Sequence, residues 1–570
     1  MRRVIIFDLH LWRRFRALAA PYWFREARWQ ARGMLVLLLL LLLGQTGFAV
    51  LFNQQTGEFT SALAARDGER FWVAIRQFLI VLLVAVPIYA FFYFVRDKLG
   101  VLWRRWLTGN FLGGYFAHRA YYELNASTGI DNPDQRIAED INVFTQRSLY
   151  FLLVLIGALL QLIAFSGVLW AISQALVVFL VFYAFAGTAI TFLVFGKLLI
   201  GLNFYQIRRE ADFRFSLVRI RENAEAIAFY RGEVRESARV TAYFDGAFAN
   251  YLKLIRAQLK LNLFQYSYSF MIIVLPSVII ADRVISGELE VGRAIQAAGA
   301  FAAILAALTI LIDNFESFSR FAAGIDRLDT FSRLLSGEKG CTRSTIEAII
   351  HLPDARLSIE ALTLQTPRHE RTLIRNLSLT IAPGDSLMIM GVSGCGKSSL
   401  LRAIAGLWRS GSGRISAPQD HEMLFLPQQP YMLLDTLRVQ LLYPRMDREV
   451  PDEELLNVLE QVNLADIADR FGGLDSELDW EKVLSVGEQQ RIALARVLLA
   501  APRYAILDEA TSALDADNEE KLYRLLAASG TTLISVGHRL SLLNYHPQVL
   551  EFIGNGEWRL HASAEYVQGH

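Results

Sequence analysis

Cysteine is scarce in this chain: of 570 residues, only Cys341 and Cys395 carry a thiol. Two thiols make no disulfide framework, and a reducing, cytosolic setting is expected for the part that holds them. Net charge is scarce as well, +1 from 57 basic and 56 acidic residues. That balance argues against a general nucleic-acid binder, and no nucleic-acid partner is expected. Charge of either sign is missing from whole stretches. Met34–Phe52 has none, Phe71–Val95 has only Arg76, and Ser148–Gly196 has none. The first of these is not expected to be a signal peptide, because about thirty residues precede it and it exceeds a typical h-region.

What remains in those stretches is apolar sequence long enough to cross a bilayer. Ser148–Gly196 as one helix would extend roughly 70 Å, more than twice the hydrocarbon core, so it is read as two spans with a turn at Ser173–Gln174. Leu261–Ala281 and Ala294–Asn314 complete six expected spans. The N-terminal segment and the long loops Arg96–Arg147 and Asn203–Lys260 are basic, whereas Asn53–Arg70 and Asp282–Arg293 are short and mixed in sign. By the positive-inside rule both termini face the cytoplasm. Residues 1–33 mix Trp12, Tyr22, Trp23 and Trp29 with arginines, the composition of a helix lying among lipid headgroups. Membrane lipid is therefore an expected partner. In the fifth span Gln265, Tyr266, Tyr268 and Ser269 are polar, and polar residues in a span tend to face a cavity or another helix. They are candidate cavity-lining residues, with helix packing the competing role.

The last third reads as a soluble α/β domain. Leu357 onward, LSIEALTLQTP and TLIRNLSLTIAPGDSLMIMG, alternates like antiparallel strands, with Gly384–Asp385 as a turn. Gly391–Ser399 reads GVSGCGKSS and fits G-x-x-x-x-G-K-[ST], preceded by a short apolar strand and followed by a helical run. In such a loop the backbone N–H groups of Gly391, Ser393, Gly394, Cys395, Gly396, Lys397, Ser398 and Ser399 cradle phosphates at a helix N-terminus. Lys397 is placed to meet the β- and γ-phosphates of ATP and the Ser398 hydroxyl to ligate Mg²⁺.

Downstream, Leu484–Arg491 reads LSVGEQQR, Tyr504–Asp515 reads YAILDEATSALD, Ser535–Arg539 reads SVGHR, and Gln428 follows an apolar run in FLPQQP. In this order the set resembles the nucleotide-binding domain of an ATP-binding cassette transporter. The resemblance implies Asp508 and Gln428 at the metal, Glu509 as general base, and His538 as the switch residue at the γ-phosphate. It further implies Ser485, Gly487 and Glu488 as the signature acting on the partner's nucleotide, with Ser512 and Asp515 in the D-loop. One phosphate loop and one signature per chain imply a second copy as partner and two composite sites.

Asn132–Ile141 (NPDQRIAEDI) and Glu222–Glu233 (ENAEAIAFYRGE) resemble the branch of peroxisomal fatty-acyl transporters (subfamily D) and SbmA/BacA-like bacterial uptake proteins. That branch implies coupling helices in these loops and an exporter-type fold. The expected architecture is an α-helical transmembrane bundle followed by an α/β P-loop ATPase domain with an antiparallel β subdomain. Its parts are 1–33 (interfacial helix), 34–335 (transmembrane), 336–354 (linker) and 355–570 (cassette). The expected activity is ATP-driven movement of a small-molecule or peptide substrate, bulky and hydrophilic, in a bacterial plasma membrane, with import favoured. Fatty-acyl or drug export and an ATP-gated channel are the competing readings. Val486 stands where the signature usually has glycine, and Thr366–Pro367 where many members stack an aromatic on adenine.

Overall fold

The computed structural model describes residues 9–25, 28–126, 133–336, 349–367 and 370–569. Arg2, Arg3, Asn132, Cys341 and most of the expected linker lie outside the described residues. The chain divides into two compact units, Met1–Lys339 and Gly340–His570.

The first unit is helical because its apolar runs leave no backbone group free to meet lipid unpaired. Among the described residues, five helices are long and apolar enough to cross a membrane. They lie within Arg28–Ala64, Gly68–Asn125, Pro133–Ile172, Glu233–Ile285 and Val291–Leu308. Asp67 starts the second by accepting the Arg70 N–H at 3.0 Å. Helix Ile141–Ile172 stops at Ser173, which is extended (φ −161°, ψ 120°), and Gln174–Ile190 begins beyond it. The stretch expected as one regular fourth span is different. Its α-helix ends at Ile190, and Thr191–Gly196 is π-helical before Lys197–Glu222 resumes. A charge-free composition carries no trace of that change in hydrogen-bond register.

The N-terminal segment departs from a single interfacial helix. Leu9–Phe24 is one helix, and Trp29 already belongs to the Arg28–Ala64 membrane helix. Tyr22 is buried and stacks on Trp103, centroids 5.7 Å apart and 11° between planes, so it is core rather than headgroup contact. Within the fifth span, Tyr268 is engaged in packing. It stacks on Tyr183 at 4.3 Å, donates to the Tyr183 carbonyl at 2.8 Å, and covers Gly187, where a Cβ would meet its ring. Tyr266 and Ser269 are exposed and Gln265 half-buried.

The C-terminal part of Arg28–Ala64 and the start of Val291–Asp313 approach backbone to backbone. A Cβ on Gly292 would lie 1.8 Å from the Gly57 carbonyl oxygen, so only hydrogen fits there. Asn53 Nδ2 donates to the Gln296 carbonyl at 3.1 Å and Ser61 Oγ accepts from the Gly292 N–H at 3.1 Å, closing the seam with polar bonds. Beside it lies a cavity of about 470 Å³ lined by Gln55, Glu58, Ser61, Arg70, Arg293 and Gln296 among others.

The second unit holds a six-stranded sheet in the order Glu557–Ala562, Gln548–Gly554, Leu387–Gly391, Thr532–Val536, Tyr504–Asp508, Met423–Leu426. Only the pairing of the first two is antiparallel. The three central parallel strands are almost wholly buried, as their continuous Leu, Ile, Met and Val content demands. A four-stranded sheet, in the order Ile350–Pro353, Gly411–Ala417, Leu357–Gln365, Thr372–Ile381, pairs its last two strands antiparallel.

Candidate functional site

Four parallel strands end side by side, and each hands one loop to the same place. Leu387–Gly391 leads into the glycine loop, Met423–Leu426 into Gln428, Tyr504–Asp508 into Glu509, and Thr532–Val536 into His538. Loops at the carboxyl ends of parallel strands are where an open α/β sheet binds its ligand.

The glycine loop is shaped by left-handed backbone. Gly391, Gly394 and Gly396 have φ of 138°, 76° and 111°, and a Cβ at Gly391 would lie 2.5 Å from the Phe552 carbonyl. The loop ends on the helix Lys397–Ile404. The Lys397 ammonium donates to the carbonyls of Gly391 (2.6 Å) and Val392 (3.2 Å), so its charge lies across the cradle. Cys395 is buried among Leu387, Ile389 and Leu400, and it offers the loop its backbone only.

Ser398 Oγ donates to Asp508 Oδ1 at 3.2 Å. Burial pushes the Asp508 carboxyl above its ordinary range, opposed by that hydrogen bond, as for an anion short of positive charge. Among the described residues, no cluster of three or more His, Cys, Asp or Glu is set to hold a metal. Ser398 and Asp508 instead offer two hard oxygens, which suits an ion that takes its other ligands from phosphate and water.

Glu509 is held from both sides. Gln428 Nε2 donates to its Oε2 at 2.9 Å, and His538 Nε2 stands 3.4 Å from its Oε1. Its backbone is left-handed (φ 49°), and its N–H donates to the Val536 carbonyl at 3.1 Å, binding it to the strand that carries His538. A non-glycine residue in that region costs about 1–2 kcal/mol, here tied to the carboxylate the loops converge on.

Ser485 caps the helix Val486–Ala500 in a capping box with Glu488. Its Oγ accepts the Glu488 N–H (3.3 Å) and donates to Glu488 Oε2 (2.9 Å), while Arg470 pairs with Glu488 Oε1 at 2.5 Å. Burial pushes the Glu488 carboxyl up, but hydrogen bonds from Arg470 and Ser485 outweigh it and hold it below its usual range. Val486 is exposed at the first helical turn. Gly487 packs on the following loop, where a Cβ would lie 3.2 Å from the Ala513 carbonyl. Ser512 is exposed, and Asp515 caps Ala516–Ala528 by accepting the Asn518 N–H at 2.8 Å.

Two residues of the constellation carry no role that the motifs assign: Gln490 lies inside LSVGEQQR without one, and Arg496 lies beyond it on the same helix. Gln490, 1% exposed, bonds to both the Gln428 backbone and the loop after Glu509. Arg496 is buried without a carboxylate and donates to the carbonyls of Gln440 (2.6 Å) and Tyr431 (2.9 Å). Burial lowers its pKa to about 10. Neither a glutamine nor an arginine on a helix says by residue type that it is buried, so these roles appear only once the partners are known.

Residues 21–285 match the family described as ABC transporter transmembrane region 2, and residues 374–512 the family described as ABC transporter. The chain is 47% identical to an uncharacterized ABC transporter ATP-binding protein of Synechocystis sp., over 94% of this chain and 82% of the other. It is 40% identical to the chloroplastic ABC transporter D family member 2 of Arabidopsis thaliana, over 95% and 86%. With the lysosomal cobalamin transporter ABCD4 of Homo sapiens it shares 33% identity over 93% of both chains. In three dimensions it resembles a bacterial Atm1-family ABC exporter with ATP bound, at a TM-score of 0.71 and 19% identity, covering 94% of this chain and 96% of that one.

Proposed function

The chain belongs to the ATP-binding cassette transporters, on the branch of the D-family half-transporters, and on that footing we propose that two copies assemble into a pump with two composite ATP sites. ATP hydrolysis coupled to transport is the family's activity. The observation that carries the site assignment is the Glu509 carboxylate, clasped by Gln428 and His538 beside Lys397, Ser398 and Asp508.

In this reading the N–H groups from Gly391 to Ser399 take the phosphates and Lys397 balances their charge. Glu509 accepts a proton from the attacking water, Gln428 keeps that water and the carboxylate aligned, and His538 meets the γ-phosphate. Ser398 and Asp508 would hold Mg²⁺, with Gln428 beside it, and the ion would supply positive charge for the phosphates. Ser485, Gly487 and Glu488 close the partner's site, with Ser512 and Asp515 in the adjoining loop. The Arg470–Glu488 pair matters here because it cancels a carboxylate close to where phosphate arrives.

The transported solute is proposed to be bulky and hydrophilic, a peptide or a cobalamin-like molecule, with uptake as the direction. Two things support this. The ABCD4 relative is a cobalamin transporter by name. The cavity beside the Gly57–Gly292 seam is lined mainly by amides and charged side chains, with Val73 and Ala74 among them, and Gln55 Oε1 there is buried with no hydrogen-bond partner among the described residues. A second cavity on the same helices, lined by Phe52, Ile295, Ala298 and Ala302 among others, is mostly apolar. The setting is proposed to be a bacterial plasma membrane with the ATPase unit in the cytoplasm.

Purified protein in liposomes tests the assignment. ATPase activity is expected, and Glu509→Gln should lower turnover by about 10²–10⁴-fold while ATP still binds. Full turnover in that variant removes Glu509 as base. Accumulation of cyanocobalamin or a polar peptide against its gradient, ATP-dependent and lost in Glu509→Gln, separates a pump from an ATP-gated channel, which would only equilibrate it.

A further inference from the structure

Gln490 performs none of the chemistry above, yet both its amide N–H groups and its oxygen are hydrogen-bonded. Nε2 donates to the Gln428 carbonyl and to Ser512 Oγ, both at 3.2 Å, and Oε1 accepts the Ala513 N–H at 3.0 Å. The amide fits only this way round. Flipped, its NH₂ would face the Ala513 N–H and its oxygen the Gln428 carbonyl. The three partners belong to two separate loops, 62 and 22–23 residues away in sequence, and Gln490 itself sits on the helix that begins at the signature.

We propose that Gln490 is a positioning residue that makes three parts of one chain move together. These are the backbone of Gln428, the loop after Glu509, and the signature turn Ser485–Gly487. It thereby links the half-site a chain keeps for its own nucleotide to the face it offers its partner's. This rests on the dimeric reading of the preceding section. Gln428 holds Glu509 through its side chain while Gln490 holds Gln428 through its carbonyl, so displacement of either loop is passed to the other. The same helix touches the second loop again, at Gly487 against Ala513. It grips the segment after Gln428 again too, through Arg496 on the Tyr431 carbonyl. Because a buried amide with both N–H groups and its oxygen engaged resists rearrangement, the three parts behave as one rigid piece.

Two variants in the full-length protein separate the links. Gln490→Met keeps the shape and removes every hydrogen bond. Gln490→Glu keeps acceptors for the Ala513 N–H and the Ser512 hydroxyl, but it sets oxygen against the Gln428 carbonyl. Both are expected to lose about 10–100-fold in kcat with KM for ATP within about twofold, the pattern of a lost transition-state arrangement rather than lost binding. A mixed dimer of one Gln490→Met and one wild-type copy should turn over well below half the wild-type rate. Wild-type kcat in Gln490→Glu overturns the link to Gln428 whether or not the methionine variant folds. A mixed dimer at half the wild-type rate overturns the link between sites. A wild-type protein that stays monomeric or hydrolyses no ATP would instead remove the functional reading, and this role with it.

Discussion

His546 shows how one buried side chain sets conditions for the site. Its Nδ1 donates to the Leu542 carbonyl at 2.8 Å, so the neutral ring accepts from Ser535 Oγ through Nε2 at 2.9 Å. Ser535 lies on the strand that leads to His538, and Leu542 in the turn after it. Burial lowers the His546 pKa from 6.5 to about 4, while the neighbouring Tyr523 is pushed up to about 12 and stays neutral. The unfolded chain therefore binds this proton first as pH falls. Stability is fully present above pH 6.5 and is lost toward pH 4, at up to about 1.4 kcal/mol per pH unit. Unfolding of the ATPase unit within the full chain, followed between pH 7 and 5, should show that slope, and His546→Gln should flatten it. An unchanged slope in the variant would assign the loss elsewhere. Residues of this kind are hard to read in advance. Glu509, His538 and Gln428 each follow an apolar strand and took their expected roles from the family resemblance of the motifs around them, whereas His546 and Gln490 act through partners that only the fold brings near.

Helices and strands were legible to different depths. The parallel strands are short buried runs between breakers, so their ends could be placed from sequence, while the roles of the residues after them rested on the family resemblance. Five of the six expected spans fall on the five described helices long and apolar enough to cross a membrane, because long runs nearly free of charge mark them. The stretch after Ser173 does not, because a shift to π-helical bonding over Thr191–Gly196 leaves composition untouched. Tyr22 went to the core against Trp103, since aromatic and basic content shows that a helix is amphipathic but not which face it buries. The Gly57–Gly292 contact is likewise silent in sequence, because both glycines fall in the short segments between expected spans and glycine there signals permissiveness without naming what approaches. It gives a direct test. A Cβ at position 292 would lie 1.8 Å from the Gly57 oxygen and 2.3 Å from Ser61 Oγ, whereas one at Gly47 meets nothing within 4 Å. Gly292→Ala should cost about 1–3 kcal/mol by overpacking. Gly47→Ala should be neutral or gain about 0.5–1 kcal/mol of helix propensity. Thermal unfolding in detergent compares the two, and equal midpoints would mean the seam opens freely.

For the whole molecule the decisive question is which chain completes which site. Nothing in a single polypeptide puts its own Ser485 against its own Lys397 by necessity, and one copy of each motif is what a shared site requires. Two pairings of mutant chains answer it. In the first, a Lys397→Ala chain is paired with a Ser485→Arg chain. If the signature acts on the partner's nucleotide, one site keeps an intact Lys397 and an intact Ser485, and the other loses both. In the second, a chain bearing both substitutions is paired with wild type. Each site then contains one lesion and none is whole. Sites completed within one chain give the reverse, with activity only in the second pairing. ATPase measured on doubly tagged, purified mixed dimers should therefore appear in the first pairing and be absent from the second. Ser485→Arg also removes a helix cap worth about 1 kcal/mol, so each preparation needs a matching unfolding midpoint before rates are compared. Activity confined to the second pairing would place the signature and phosphate loop of one chain on one nucleotide, and with that the dimer would lose its chemical reason to exist.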